Sequence, residues 1–341
     1  MKAAIIALFF CLSARAWAQP PELLRNARIA LRLDSGKVLI VGGSIEKKSG
    51  QDLYDRTMEQ LPHEPGHSPL QPIEEIFLVS AAYMAQFRID PATNWRAGDR
   101  WVVYTAAGSP LPVVIESISF GYYCGGIGGY ATALAHFENP GIANTVAGLR
   151  AEAYLAAPVR GLSGVSERPM VPAGPTDASL DEELLNYARR IVGSDDWEAT
   201  WPGAHEVNHN FLNSGNLKFE GHFYDWRSPG SKPLIFAELF WRDEKNSAVF
   251  AANAVLDGTS PKNVLAFDTN PGRLMRFQEV ALDLNNWKPQ EPGAFLNSWA
   301  IGARQFVLMA SYGYEGFSVE LMELVPGKGL VPAGISFGSG C

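Results

Sequence analysis

Residues 28–41, RIALRLDSGKVLIV, decide the fold class. Two short apolar-rich runs flank Asp34-Ser35-Gly36, a cluster of turn-forming residues, so the stretch predicts a β-hairpin. The same layout recurs downstream, where 101–104 and 112–120 flank Ala106-Ala107-Gly108-Ser109. Between the two hairpins, residues 61–72 are rich in Pro, Gly and His and read as loop. Residues 73–87 fit either a helix or a buried strand, because short apolar runs do not separate the two periods. Residues 211–331 are again strand-like. The expectation is a mainly β chain of the α+β type, with antiparallel β-rich domains.

One helix interrupts this pattern. Ser179-Leu180-Asp181-Glu182 forms a capping box, with Ser at the cap, Glu three residues on and acids in the first turn. Leu180, Leu184, Ala188 and Ile191 follow at helical spacing and Gly193 stops the run, which predicts an amphipathic helix at about 179–192. Ahead of it, residues 157–178 carry four prolines and little apolar periodicity, and read as a connection. The organisation expected is a signal peptide (1–18), an N-terminal β-rich domain (19–156), the Pro/Gly-rich connection (157–178), and a helix plus C-terminal β region (179–341).

The C-terminal region contains an internal repeat. The stretch from Trp226 to Phe236 aligns with that from Trp299 to Leu308: a Trp, then Gly, a small residue, a base, any residue and three apolar residues. Each copy leads into a second strand-like run that starts at Phe250 or Phe317 and closes at Gly258 or Gly327. The period near 70 residues predicts two related hairpin units, at about 220–258 and 293–327.

This repeat resembles a family signature. Tyr224-Asp225-Trp226-Arg227-Ser228-Pro229-Gly230-Ser231-Lys232-Pro233-Leu234 is similar to a degenerate acidic loop of FG-GAP or VCBS-type repeats. Those repeats run Asp-x-Asp-Gly-Asp-Gly into a strand and occur in exported bacterial proteins. Asp225 and Gly230 keep that spacing, and the second copy has no acid. The resemblance therefore implies a β-rich surface or binding module without the family's calcium ligands. Residues 28–43 likewise resemble the first half of a kelch repeat, but no second copy follows and no kelch propeller is expected.

The N-terminus and composition bound the setting. Lys2, an apolar run over 3–12 and Ala16-Trp17-Ala18 form the three parts of a secretory signal peptide, and the run is too short to span a bilayer. No later stretch is long and apolar enough to do so, and the expected location is periplasmic or extracellular. Cleavage leaves 26 bases against 36 acids, a net charge of −10. A chain this acidic, without a basic cluster, is not expected to bind nucleic acid or an anionic membrane. With 47% hydrophobic and 11% aromatic residues, disorder is not expected either. Two cysteines remain after cleavage, Cys124 and Cys341, and an isolated pair in an oxidising compartment is expected to form a disulfide.

Several stretches match catalytic patterns. His205-Glu206-Val207-Asn208-His209 is a formal H-E-x-x-H and resembles, over five residues, the zinc metalloproteases. On a helix, His205 and His209 would share one face and hold Zn²⁺, with Glu206 as general base and Glu220 or His222 as third ligand. Against this, Pro202-Gly203 precedes the motif, Asn208, Asn210 and Asn213 are poor helix formers, and His205, Val207, His209 and Phe211 alternate as a strand would. The second match, His63-Glu64-Pro65-Gly66-His67, contains helix breakers and reads as loop. Gly334-Ile335-Ser336-Phe337-Gly338 fits the nucleophile elbow of α/β-hydrolases, but no acid or histidine follows Ser336. Gly126-Ile127-Gly128-Gly129-Tyr130-Ala131 fits a dinucleotide fingerprint only if the ATALAHF segment after it were helical inside a βαβ unit. Trp226, Trp241, Trp287, Trp299, Tyr312 and Tyr314 are candidates for a sugar-stacking platform, with core packing as the alternative.

The function expected from sequence is an exported, non-catalytic binding or structural module needing no cofactor, with a glycan or other cell-envelope component as candidate ligand. The competing expectation is a zinc-dependent hydrolase using His205, Glu206 and His209.

Overall fold

The structure is a computed structural model and describes residues 22–44, 46–47, 63–65, 75–78, 87–88, 95–105, 110–123, 128–139, 141, 153–160, 162–167, 170–172, 178–194, 205–226, 233–243, 248–268, 275–276, 294–313, 316–326 and 328–340. The chain is mainly β and its strand pairings are antiparallel.

Strands β1 (Arg28–Arg32) and β2 (Val38–Ser44) form the expected hairpin. Its turn closes through Leu33 N–H to Lys37 O at 2.9 Å and Gly36 N–H to Leu33 O at 2.9 Å, with Gly36 at φ 80. That left-handed conformation is why glycine ends the Asp-Ser-Gly turn. Four short strands follow: β3 (Glu46–Lys47), β4 (His63–Pro65), β5 (Glu75–Leu78) and β6 (Phe87–Arg88). Residues 63–65, read from sequence as loop, therefore pair with β5, and Pro65 is tolerated because β4 ends its sheet.

Strands β7 (Arg100–Tyr104), β8 (Leu111–Tyr123), β9 (Gly128–Phe137) and β10 (Ala153–Pro158) complete a closed six-stranded barrel in the order β7-β8-β9-β2-β1-β10 and back to β7. The ATALAHF segment lies in β9, so the dinucleotide fingerprint has no helix behind it. One core cluster draws on all six strands and fills the lumen, where Ala30, Ala133, Ala135 and Ala156 make room for Trp101 and Tyr154. A barrel this narrow holds only a few large side chains.

The connection supplies two edge strands, β11 (Val165–Glu167) and β12 (Met170–Pro172). Helices α1 (Ala178–Val192) and α2 (His205–Leu212) follow. Beyond them, β13 (Lys218–Trp226), β14 (Leu234–Arg242), β15 (Ala248–Asp257) and β16 (Ser260–Asp268) form one meander, with β17 (Met275–Arg276) paired to β15. A second meander comprises β18 (Ala294–Ile301), β19 (Arg304–Gly313), β20 (Gly316–Val325) and β21 (Gly329–Gly340). Strand β12 borders the first meander and β11 the second. Each meander with its edge strand makes five strands, whereas the spans expected for the two hairpin units, 220–258 and 293–327, cover three strands each. After β15 the chain reverses at Gly258, whose N–H bonds Pro233 O at 2.8 Å; a Cβ there would meet that oxygen at 2.7 Å.

The layers stack in a fixed order. Helices α1 and α2 cover one face of the first meander through Leu184, Ala188 and Leu212 against Ala237, Trp241 and Phe250. Its other face, carrying Trp226 and Phe236, packs on Val307 and Met309 of the second meander. The opposite face of the second meander, carrying Trp299 and Phe306, packs on Ile29, Leu31 and Leu155 outside the barrel. Trp226 and Trp299, each on the first strand of its meander, each point into the next layer toward the barrel.

Candidate functional site

Alternation along β13 places Glu220, His222 and Tyr224 on the face turned toward the second meander. Register then aligns a polar row across three strands: His222 opposite Glu238 on β14, and Glu238 opposite Asn253 on β15. Residues on either side of the row, such as Phe236, Phe240, Ala251 and Val255, are buried and apolar.

Glu238 is the centre of the row and is 3% exposed. Its Oε2 accepts a hydrogen bond from the Tyr224 hydroxyl at 2.9 Å, and its Oε1 accepts one from the Phe295 backbone N–H at 2.6 Å. Because Phe295 opens β18, this carboxylate ties the two meanders together. A buried carboxylate persists only when its oxygens are paired in this way. His222 Nδ1 lies 3.5 Å from the same Oε2, while its Nε2 is 3.2 Å from Glu220 Oε1. Arg242 Nε reaches Glu220 Oε2 at 3.4 Å and its guanidinium sits 5.6 Å from the Phe240 ring centroid. The imidazole therefore lies between two carboxylates, hydrogen-bonded to Glu220 and within ion-pair range of Glu238.

Exposure falls steeply along the row: the side chains of Glu220 and His222 are 47% and 31% exposed, whereas Asn253 is 1% exposed. The Asn253 amide nitrogen is buried and meets no acceptor. A buried polar atom of this kind marks a position for water or another polar group.

The H-E-x-x-H segment is helical, contrary to the strand or loop reading. Local caps and tertiary contacts together override the weak propensity of its asparagines. Asn213 Nδ2 donates to His209 O at 2.8 Å, Ser214 Oγ donates to Phe211 O at 2.7 Å, and Arg189 Nε of α1 donates to Leu212 O at 2.9 Å, so the last carbonyls are satisfied. Leu212 is fully buried against α1 and the first meander. His209 is exposed, its Nε2 3.3 Å from Asn213 Nδ2. The proposed third ligands, Glu220 and His222, project from the face of β13 opposite the one that α2 covers. Among the described residues no three His, Cys, Asp or Glu side chains converge as a metal centre requires.

Three of the six aromatic residues expected to form a sugar-stacking platform are core residues. Trp226, Trp241 and Trp299 are at most 2% exposed and pack in three different core clusters, so no ring face is open to a sugar. Tyr312 lies on β19 by its backbone, opposite Phe317; Trp287 and Tyr314 fall outside the described residues, as do Cys124, Cys341 and the signal peptide. Ser336 of the G-x-S-x-G match sits within β21, paired with Glu320, and not at the strand-to-helix turn a nucleophile elbow needs.

Glu238, Tyr224 and Asn253 were not candidates from sequence. Their signal was present in LIFAELFW and AVFAANAVL, each an apolar run broken by one polar residue. A lone acid or amide inside a buried strand must find partners there. Searched against family models, curated proteins and solved structures, the chain matches none.

Proposed function

We propose that the protein is an exported, non-catalytic binding or structural module whose ligand, a glycan or other cell-envelope component, meets the outer end of the polar row at Glu220, His222 and Arg242. The observation carrying this reading is the partly exposed cluster of Glu220, His222 and Arg242 at the end of a row whose inner members are buried. Charged and polar side chains held against one another at a rim present a preorganised polar surface, which suits recognition. No helix among the described residues is long and apolar enough to cross a membrane.

The test is retention of the purified mature chain on isolated cell-wall sacculi and on an array of envelope glycans. Retention is expected for the parent and is expected to fall about tenfold in a Glu220→Gln, His222→Ala double variant, equivalent to about 1.4 kcal/mol. No retention by the parent, or equal retention by the variant with an unchanged melting temperature, would sink the assignment.

A second reading is favoured by the helicity of residues 205–212, which puts His205 and His209 at the i and i+4 positions of one helix. On that reading the protein is a zinc hydrolase with Glu206 as general base. Metal analysis separates the two: stoichiometric zinc that disappears in His209→Ala would establish the hydrolase and displace the binding module.

We also propose that Cys124 and Cys341 are bridged. Tyr123, the residue before Cys124, closes the β8–β9 ladder opposite Gly128. Tyr130, two residues further along β9, bonds Gly338, three residues before Cys341. That proximity of the hairpin end and the C-terminal strand supports the pairing.

A further inference from the structure

The two ring nitrogens of His222 meet different settings. Nδ1 is buried and lies 3.5 Å from Glu238 Oε2, whereas Nε2 is 3.2 Å from Glu220 Oε1 at the rim. With 31% of its side chain exposed, His222 exchanges protons with solvent directly, while Glu238, 3% exposed, is shielded from it. Glu238 in turn accepts the Phe295 N–H at 2.6 Å and so joins the two meanders. A solvent-reachable titrating group therefore sits against a buried charge that braces the layers.

The charges around the ring fix the sign of the effect. Strand β13 contributes Glu220 and the Tyr224 hydroxyl, with Lys218 two residues beyond Glu220 on the same face, and β14 contributes Glu238 and Arg242. The neighbouring β12 residues Met170, Val171 and Pro172 carry no titratable side chain. Across the interlayer β18 brings the Phe295 backbone, and the charged residue on the facing side of the second meander, among the described residues, is Glu320, which alternates with Met322 on β20, the second strand from β18. Arg242 reaches Glu220 and offsets it, whereas His222 is the basic side chain within ion-pair distance of Glu238 among the described residues. A charged imidazole is attracted to both carboxylates and a neutral one is not, so the fold favours the charged ring. Imidazole ordinarily titrates at about pH 6.5. The contribution is therefore complete below that range and is lost as the pH rises and the folded protein's ring gives up its proton. We infer that His222 is a proton-operated brace: charged, it holds Glu238 under the Phe295 N–H, and on losing its proton it lets the joint between the two meanders loosen. The device works whether or not a ligand meets the rim.

Amide exchange at Phe295 tests this, measured on the chain lacking residues 1–18 at steps between about pH 5.5 and 8.5, on either side of the imidazole range, and divided by the intrinsic rate at each pH. Protection in the parent is expected to fall about tenfold across the series, the effect of one opposite charge at this range. The His222 ring resonances are expected to titrate over the same interval. In His222→Gln, which stays polar but cannot gain a charge, protection is expected to be level across the series and close to the parent's value at the upper end. His222→Phe keeps a ring against Phe240 and is expected to behave likewise. The inference is overturned if the parent's protection is level or rises with pH, if it falls over an interval in which the His222 ring does not titrate, or if the same fall persists in a folded variant, which would assign it to another group such as Glu320. Near-ultraviolet dichroism identifies a variant that has lost its fold, and the coincidence of the two parent titrations then decides alone.

Discussion

Cys341→Ser is expected to lower the stability of the oxidised chain lacking residues 1–18 by about 4–5 kcal/mol, the range for a cross-link closing a very long loop. The proposed partners stand about 220 residues apart in sequence, so the bridge would restrict nearly two-thirds of the unfolded chain. It would also hold the end of β21, the terminal strand, against the β8–β9 hairpin of the barrel, where fraying would otherwise begin. Urea unfolding should show a lower midpoint for the variant, and dithiothreitol should bring the parent down to the same value. Thiol titration of the native, unreduced protein should find no reactive group. Two reactive thiols, or a midpoint insensitive to reductant, would refute the bridge.

Glu238→Ala is expected to cost about 3–4 kcal/mol, because the substitution strands buried donors as well as removing an acceptor. The Tyr224 hydroxyl and the Phe295 N–H both lose Glu238 as acceptor, and with it goes a carboxylate that joins the two meanders. Glu238→Gln keeps the shape and one acceptor oxygen, so a loss of about 1–2 kcal/mol is expected for it. The comparison is made by urea unfolding monitored by tryptophan fluorescence, since Trp226 lies in the layer between the meanders. If the alanine variant unfolds within 1 kcal/mol of the parent, roughly the size of one ordinary hydrogen bond, Glu238 does not brace the layers.

Local signals carried much of the fold. The Asp34-Ser35-Gly36 turn and the periodic run from Leu180 to Gly193 were readable because each element is specified by its own residues: a glycine at φ 80 in one, and buried Leu180, Leu184 and Ala188 in the other. What escaped was set by distant partners. Residues 63–65 gain a strand only through Glu75–Leu78, and 165–167 and 170–172 do so only as borders to strands far along the chain. The α2 helix rests on Arg189 of α1, which donates to Leu212 O from 23 residues away, beside local caps from Asn213 and Ser214. Closure of the barrel was equally invisible, since it rests on β7 pairing with β10 some fifty residues later. The polar row was half legible. Glu220 and His222 were noticed as metal-ligand candidates, but their tie to Glu238 follows from a register that alternation alone does not set.

The matching orientation of Trp226 and Trp299 has a consequence for how the chain can be divided. Each of the two meanders offers a tryptophan-bearing face that needs a host and a second face able to serve as one. A stack of such sheets would grow without limit unless both ends were stopped. Here α1 and α2 stop one end and the barrel stops the other, so the six-stranded barrel acts as a terminal cap on a stack of two sheets. Cutting the chain after the barrel would leave the Trp299 face without a host, and the C-terminal half alone should therefore be insoluble or self-stacking.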